Sequence, residues 1–452
     1  MVDQTVEVEA SRADEPVGMG VGYLRRLLGY ANKVYALGAV LARVRDGRQR
    51  PQIPMATVGR AVFACGLFRV RSFNALEPQL GDPQLRAALG LPPGPARRRV
   101  CSVDTLARAL RRAHPASVHA MLAALIERAE RNKVFREGWI GALRYVALDG
   151  WEPIASRRRH CPQCLAREIQ DGTQRVTEYY HRYVVALLLG PQEELVLGFE
   201  PIRNAWARRQ AGEQQVDGDE GEQTAAIRLL RWLRATYGRW LEVIVVDSLY
   251  PNGPFLTVLT ELGFAGVIVA KKESDEPLRD ALTIWGQSPG QVIIDADAHE
   301  RLELWDCPDC QTLTTYAGPI RVVRGVVESV AARPTPRRQW CMLVVGKATQ
   351  RLSARQILRV ARARWHLENT GFNQWTQHWR FEHVFTTDGN AIAAIFALFF
   401  VAFNLLQLFV YRQLKSYGRL RGKDPTRTIS RVVDLLLADL HRLTAPVVWD
   451  SS

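Results

Sequence analysis

Three acidic residues stand where a chain can present side chains for chemistry. Asp149 closes the apolar run LRYVALDG (143–150), Asp247 closes LEVIVVD (241–247), and Glu368 lies within ARARWHLENTGFNQWTQHWR (361–380). Three carboxylates without convergent histidines make a hard-oxygen donor set, suited to Mg²⁺ or Mn²⁺ rather than Zn²⁺. Two such ions ~4 Å apart activate a water or a 3′-hydroxyl and stabilise the leaving oxygen of an in-line displacement at phosphorus. Arg364 precedes Glu368 by four residues, on one helix face, where its guanidinium would bind a DNA phosphate near the scissile one. Trp375 falls on the same face two turns further on. A plainer reading stands beside this one. Strand-end acids also act as structural caps, and Arg364 with Glu368 is also the pattern of an ordinary ion pair on a solvated helix.

The elements that must hold these acids follow from the texture around them. The run ending at Asp149 reads as a strand. After a polar loop, strands are expected at 176–189 and 195–201, with antiparallel connections. A helix at 222–237, a buried-type strand ending at Asp247, a helix at 254–262 and a strand at 265–270 follow. The order β-β-β-α-β-α-β predicts an α/β fold, a mixed sheet with helices packed on it. If the strands ending in Asp149 and Asp247 are parallel neighbours, their carboxylates emerge side by side at one sheet edge. A helix crossing that edge would add Glu368. Residues 272–351 interrupt the pattern with QVIIDA, RLELWDC, PIRVVRGVVE and WCMLVVG, read as strands of a separate small β subdomain. Ser353 then opens the helix leading to Glu368.

Residues 1–19 are acidic and lack an apolar h-region, so they read as a disordered leader and not a signal peptide. Residues 20–140 read as a helical N-terminal domain that binds DNA. Within it, Ser102 caps a short helix bearing Arg108, Arg111 and Arg112 behind the basic turn Arg97-Arg98-Arg99. That arrangement resembles the reading element of a helix-turn-helix, and equally a basic surface helix of an adaptor domain. From 391 to 411 only Asn404 and Gln407 are polar, a length that could span a bilayer. The run is solitary and close to the helix of Glu368, which favours a helix buried in a large domain. Residues 416–452 read as a basic, then helical, C-terminal tail.

The formal net charge is +14, with 47% apolar and 23% charged residues, a globular composition whose field favours a polyanion. Double-stranded DNA is the simplest such partner; anionic membrane and a ribosomal association are the rivals. Arg157, Arg158 and Arg159 form a second basic cluster. Seven cysteines, an odd number without a secretory signal, argue for the reducing cytoplasm.

These residues resemble the DDE transposases of bacterial insertion sequences, with a ribonuclease-H-like core. They are most similar to the group with a β-rich insertion before the final Glu and a Tyr-x2-Arg-x3-Glu-x6-Lys signature. The resemblance spans roughly residues 100–415 and rests on VALDG around Asp149, VVDSLYPNGPF around Asp247, and RWHLENTGFN with HWRFEHVF around Glu368. It implies a core of residues 141–271 and 352–415, with Asp149, Asp247 and Glu368 as catalytic ligands of Mg²⁺ or Mn²⁺. It also implies a homodimer pairing two inverted-repeat ends and acting on target DNA. Arg364 and Glu368 fit the signature, whereas Ala361 stands at its Tyr and Trp375 at its Lys. Trp365 or Trp375 would instead stack on an unpaired base, or pack in the core. A DNA-binding protein that has dispensed with catalysis and a membrane-anchored protein are the competing functions.

Two CPxC pairs, Cys161 with Cys164 and Cys307 with Cys310, are each shaped like one zinc knuckle. Each lies in a segment leaving a sheet strand. If those strands are parallel, the four thiolates meet at one edge and hold a structural Zn²⁺; otherwise they are free buried thiols. His160 is a further candidate ligand, or a basic-loop residue facing DNA.

Overall fold

The computed structural model describes residues 22–92, 100–191, 193–270, 276–295, 298–310, 313–330, 336–414 and 425–440. The acidic leader, the Arg97–Arg99 cluster and the first part of the basic tail lie outside them. The N-terminal part is helical, as its periodicity requires: α1 (Tyr23–Tyr35), α2 (Leu37–Leu41), α3 (Met55–Leu67), α4 (Phe73–Gln79), α5 (Pro83–Ala88), α6 (Val103–Arg111) and α7 (Pro115–Arg131). Ser102 caps α6 through its hydroxyl, which accepts from the Thr105 N–H at 3.2 Å.

The chain then turns to strands β1 (Tyr145–Ser156), β2 (Leu165–Asp171), β3 (Gln174–Leu189) and β4 (Leu195–Pro201), followed by the short α8 (Ala205–Gln210) and α9 (Glu222–Tyr237). Next come β5 (Val243–Val246), α10 (Gly253–Glu261), β6 (Ala265–Ala270), α11 (Glu276–Trp285) and strands β7 (Gln291–Asp295), β8 (Glu300–Cys310), β9 (Ile320–Ser329) and β10 (Arg338–Val345). Helices α12 (Lys347–Gln350), α13 (Ala354–Ala363), α14 (Asn373–Trp379), α15 (Gly389–Leu408) and α16 (Pro425–Leu440) complete the described chain. Ser353 and Gln356 form a reciprocal capping box at the start of α13.

The strands make one mixed ten-stranded sheet in the order β2-β3-β1-β5-β6-β10-β9-β8-β7, with β4 also paired to β3. β1 is antiparallel to β3, β3 antiparallel to β4, and β1, β5 and β6 are mutually parallel neighbours. The expected separate β subdomain is corrected here. β10 pairs antiparallel with β6 from Cys341 opposite Ala270 to Val345 opposite Gly266, so the insertion strands extend the same sheet. An apolar WCMLVV run has to be covered on both faces, and the free edge of β6 supplies the hydrogen bonds. β2 arises where a polar loop was expected; it pairs only with the outer half of β3, where side chains on both strands remain largely exposed.

α15 is the central core helix. It packs on α3, α6 and α7 and on β4, which locks the helical N-terminal part to the sheet. It is apolar on all sides and buried along nearly its whole length from Ala391 to Leu408, as a helix surrounded by protein must be. Its interior Asn404 is held by backbone groups of β4. The side chain donates to the Val196 carbonyl and accepts from the Val196 N–H, both at 2.8 Å. Among the described strands β4 pairs only with β3, so Asn404 gives these two backbone groups the partners a second strand would supply. At the other end of the chain, Asp439 of α16 accepts from the N–H groups of Gly22 and Leu24, capping α1 where no local side chain does.

Candidate active site

The parallel pairing of β1 with β5 sets the site. Tyr145 lies opposite Val243, Val146 opposite Ile244 and Ala147 opposite Val245; two residues further along that register, Asp149 is level with Asp247. The two acids therefore leave the sheet at the same edge. Asp149 does not end its strand, because β1 continues to Ser156 against β3. Asp247 directly follows β5, and its carboxylate accepts from the Leu249 N–H at 2.9 Å, starting the turn that leads to α10. Asn252 caps that helix by accepting from the Phe255 N–H.

Glu368 reaches the same edge from above. Between α13 and α14 the helix widens into a π-helical turn, Leu367–Phe372, which carries Glu368. Such turns re-aim side chains and recur at functional sites. Arg364 lies between the acids, with Nη1 donating to Asp149 Oδ2 at 2.6 Å and Nη2 contacting Glu368 Oε1 at 2.7 Å. Its side chain is 5% exposed and that of Glu368 40%. The expected i,i+4 pair exists, yet it belongs to neither of its two simple readings. Arg364 bridges two site acids instead of standing on a solvated helix, and in this state its guanidinium is engaged by carboxylates and not offered to a phosphate.

Sequence reasoning missed three residues. Glu222, the first residue of α9, is buried beside Asp149; its Oε1 accepts from the Tyr250 hydroxyl at 2.8 Å and its Oε2 from Arg182 Nη2 at 2.6 Å. Gly150 makes the approach feasible, since a Cβ there would stand 2.0 Å from Glu222 Oε2 and 2.8 Å from Arg182 Nη2. In sequence Glu222 is an ordinary helix-start acid favoured by the dipole, and only Gly150 directly after Asp149 hinted at a close approach.

These groups leave the site short of positive charge. Four carboxylates (Asp149, Asp247, Glu222, Glu368) face two guanidiniums (Arg364, Arg182), a surplus of two negative charges. Burial pushes the Asp149 carboxyl up to about 6; Arg364 opposes this, and Asp247 and Glu222 reinforce it. Burial and then the Glu222 carboxylate likewise keep the Tyr250 phenol protonated well beyond its ordinary range. An oxygen-only, charge-deficient cluster fits a hard divalent cation. Among the described residues the three predicted acids do not converge as a tight ligand triad, because Arg364 stands between two of them.

The residues expected to touch DNA divide. Arg108, Arg111 and Arg112 are exposed, and Arg108 and Arg112 line a cleft with Arg48 and Arg50. Arg157, Arg158 and Arg159 are exposed on the turn after β1; Arg157 pairs with Asp171, while Arg159 lines a second cleft with Arg71 and Arg380. Trp365 is 49% exposed beside Arg364. Trp375 is corrected. It is fully buried against Trp151, Phe400 and Phe403, so it has no face for a base. Because Trp151 follows Asp149 by two residues, this aromatic cluster fixes the Glu368 helix to the Asp149 strand.

The shared four-cysteine site is also corrected. Cys161 and Cys164 lie in the turn between β1 and β2, whereas Cys307 and Cys310 lie at the end of β8. Five strand steps separate β1 from β8, roughly 24 Å at ~4.8 Å per step. The premise of one shared edge failed because the insertion strands add to the far side of the sheet. His181 on β3 joins the first pair instead. His160 stacks on Tyr179 and is not part of that group.

Residues 209–405 match the family described as Transposase DDE domain. That stretch is similar to a transposase DDE domain, which supports the resemblance to DDE transposases. The matched stretch includes Glu222, Asp247, Arg364 and Glu368; Asp149 lies before it and enters the site through the sheet register. No curated protein matches the chain.

Proposed function

We propose that the protein is a DNA transposase that cuts and joins the inverted-repeat ends of its own element by phosphodiester hydrolysis and strand transfer. The observation that carries this reading is the parallel register placing Asp149 level with Asp247 under the helix of Glu368. The strand order β4-β3-β1-β5-β6, with the first three antiparallel and the last three parallel, supports a ribonuclease-H-like core. Asp149 and Asp247 would hold a divalent cation, Mg²⁺ or Mn²⁺, joined by Glu368 once Arg364 lets it go. Bound there, the cation would supply Lewis-acid charge to the phosphoryl oxygens and ease deprotonation of the attacking water or 3′-hydroxyl. Arg364 holds Asp149 and Glu368 in place meanwhile, and a phosphate drawn into the site competes for its guanidinium. The exposed arginines of α6 and of the turn after β1, with Trp365, provide the contact surface for duplex ends. Pairing two ends calls for a homodimer on DNA, and the compartment is the cytoplasm.

The test is cleavage of a plasmid carrying the DNA that flanks the reading frame. Asp149→Asn, Asp247→Asn and Glu368→Gln should each abolish Mg²⁺-dependent nicking while leaving duplex binding within a few fold, since backbone affinity and metal chemistry are separate contributions. Normal nicking by any of the three removes that residue from the site. Binding without cleavage by the unmutated protein would instead favour a DNA-binding protein that has dispensed with catalysis.

A further inference from the structure

We propose that Cys161, Cys164 and His181 form a Zn²⁺ site with two thiolate ligands, one imidazole Nε2 and a water in the fourth position. The three ligand atoms already stand as the face of a tetrahedron. Cys161 Sγ and Cys164 Sγ are 3.6 Å apart, and they lie 3.5 and 3.3 Å from His181 Nε2. A zinc with ~2.3 Å bonds to sulfur and ~2.05 Å to nitrogen has tetrahedral edges of about 3.8 Å between sulfurs and about 3.6 Å from sulfur to nitrogen. The cysteine turn is held from outside. The Asn204 amide donates to the carbonyls of Pro162 and Cys164 at 2.8 and 2.9 Å, and the Cys161 N–H points at Cys164 Sγ. Gly389, at the start of α15, leaves room for the cluster, since a Cβ there would meet Gln163 Oε1 at 2.0 Å and the His181 ring at 3.3 Å. His181 itself is buried in β3, paired opposite Ile154.

The other pair is a built-in contrast. The Cys307 and Cys310 sulfurs are 2.8 Å apart, too close to span a tetrahedral edge, and among the described residues no third ligand joins them. Binding at the first site releases the thiol protons and ties the turn that carries Arg157–Arg159 to the face of β3. The site stands whatever the reaction at Asp149 proves to be.

Protein purified without chelator should retain about one zinc per chain, and its X-ray absorption should fit two sulfur scatterers at ~2.3 Å with nitrogen or oxygen at ~2.0 Å. Co²⁺ substitution should give thiolate charge-transfer bands and tetrahedral ligand-field bands. These measurements need no variant to fold. Cys161→Ser, Cys164→Ser and His181→Asn should each lose the ion, whereas Cys307→Ser and Cys310→Ser should keep it. Removing zinc from the unmutated protein should speed tryptic cleavage after Arg157–Arg159 at least several fold. Absence of zinc and of a Co²⁺ spectrum, a four-sulfur shell, or zinc loss from Cys307→Ser would each overturn the site.

Discussion

Asp149 gives the charge-deficient site a thermodynamic signature. Its carboxyl is displaced from an ordinary aspartate near ~3.9 to about 6, which corresponds to roughly 3 kcal/mol of preference for the protonated form in the folded state. The sign follows from proton counting. Between pH ~4 and ~6 the folded state keeps a proton that the unfolded chain has released, so this group's contribution to stability falls as pH rises through that window. Asp149→Asn keeps an acceptor for Arg364 and removes the ionisation. In metal-depleted buffer, the stability of the variant relative to the unmutated protein should therefore climb by up to roughly 3 kcal/mol from pH 4 to pH 7. Urea unfolding at half-unit pH steps measures this, and carboxylates away from the site cancel in the difference. Mg²⁺ at ten times its Kd should stabilise the unmutated protein by about 1.4 kcal/mol at pH 7 and the Asn variant by far less. Parallel pH curves for the two proteins would refute both the burial argument and the surplus of negative charge.

Two further outcomes follow from the packing around the site. Gly150→Ala should cost about 1–3 kcal/mol by thermal or urea unfolding, because the new Cβ would meet the Glu222 carboxylate; adding Glu222→Ala should recover part of that loss, and strict additivity would show that the two do not touch. Trp375→Ala should destabilise by about 3–5 kcal/mol as a core cavity while leaving the affinity for single-stranded DNA unchanged at a temperature where the variant stays folded, and a selective loss of that affinity would restore the base-stacking role.

Much of this protein was legible in one dimension because the signals are local. The runs around Asp149, Asp247 and 265–270 are apolar for the length of a strand, the Ser353 capping box fixes the start of α13, and the unbroken apolar surface of α15 demands burial on every side. Four-residue spacing was enough to pair Arg364 with Glu368. Pairing between distant strands carries no such signature. Whether β10 closes a subdomain or extends the sheet depends on which strand edge is free to meet its hydrogen bonds, and that decision moved Cys307 and Cys310 away from Cys161 and Cys164. Packing of other elements set His181 beside the first cysteine pair, through the pairing of β1 with β3. It also brought Glu222 against Gly150 and turned Arg364 from a surface cation into a buried bridge. The sequence determined which residue types could do the chemistry and which element each would ride on. The tertiary structure decided which of them meet, because contact across a sheet is fixed by strand order and register, and these are properties of the whole chain's packing.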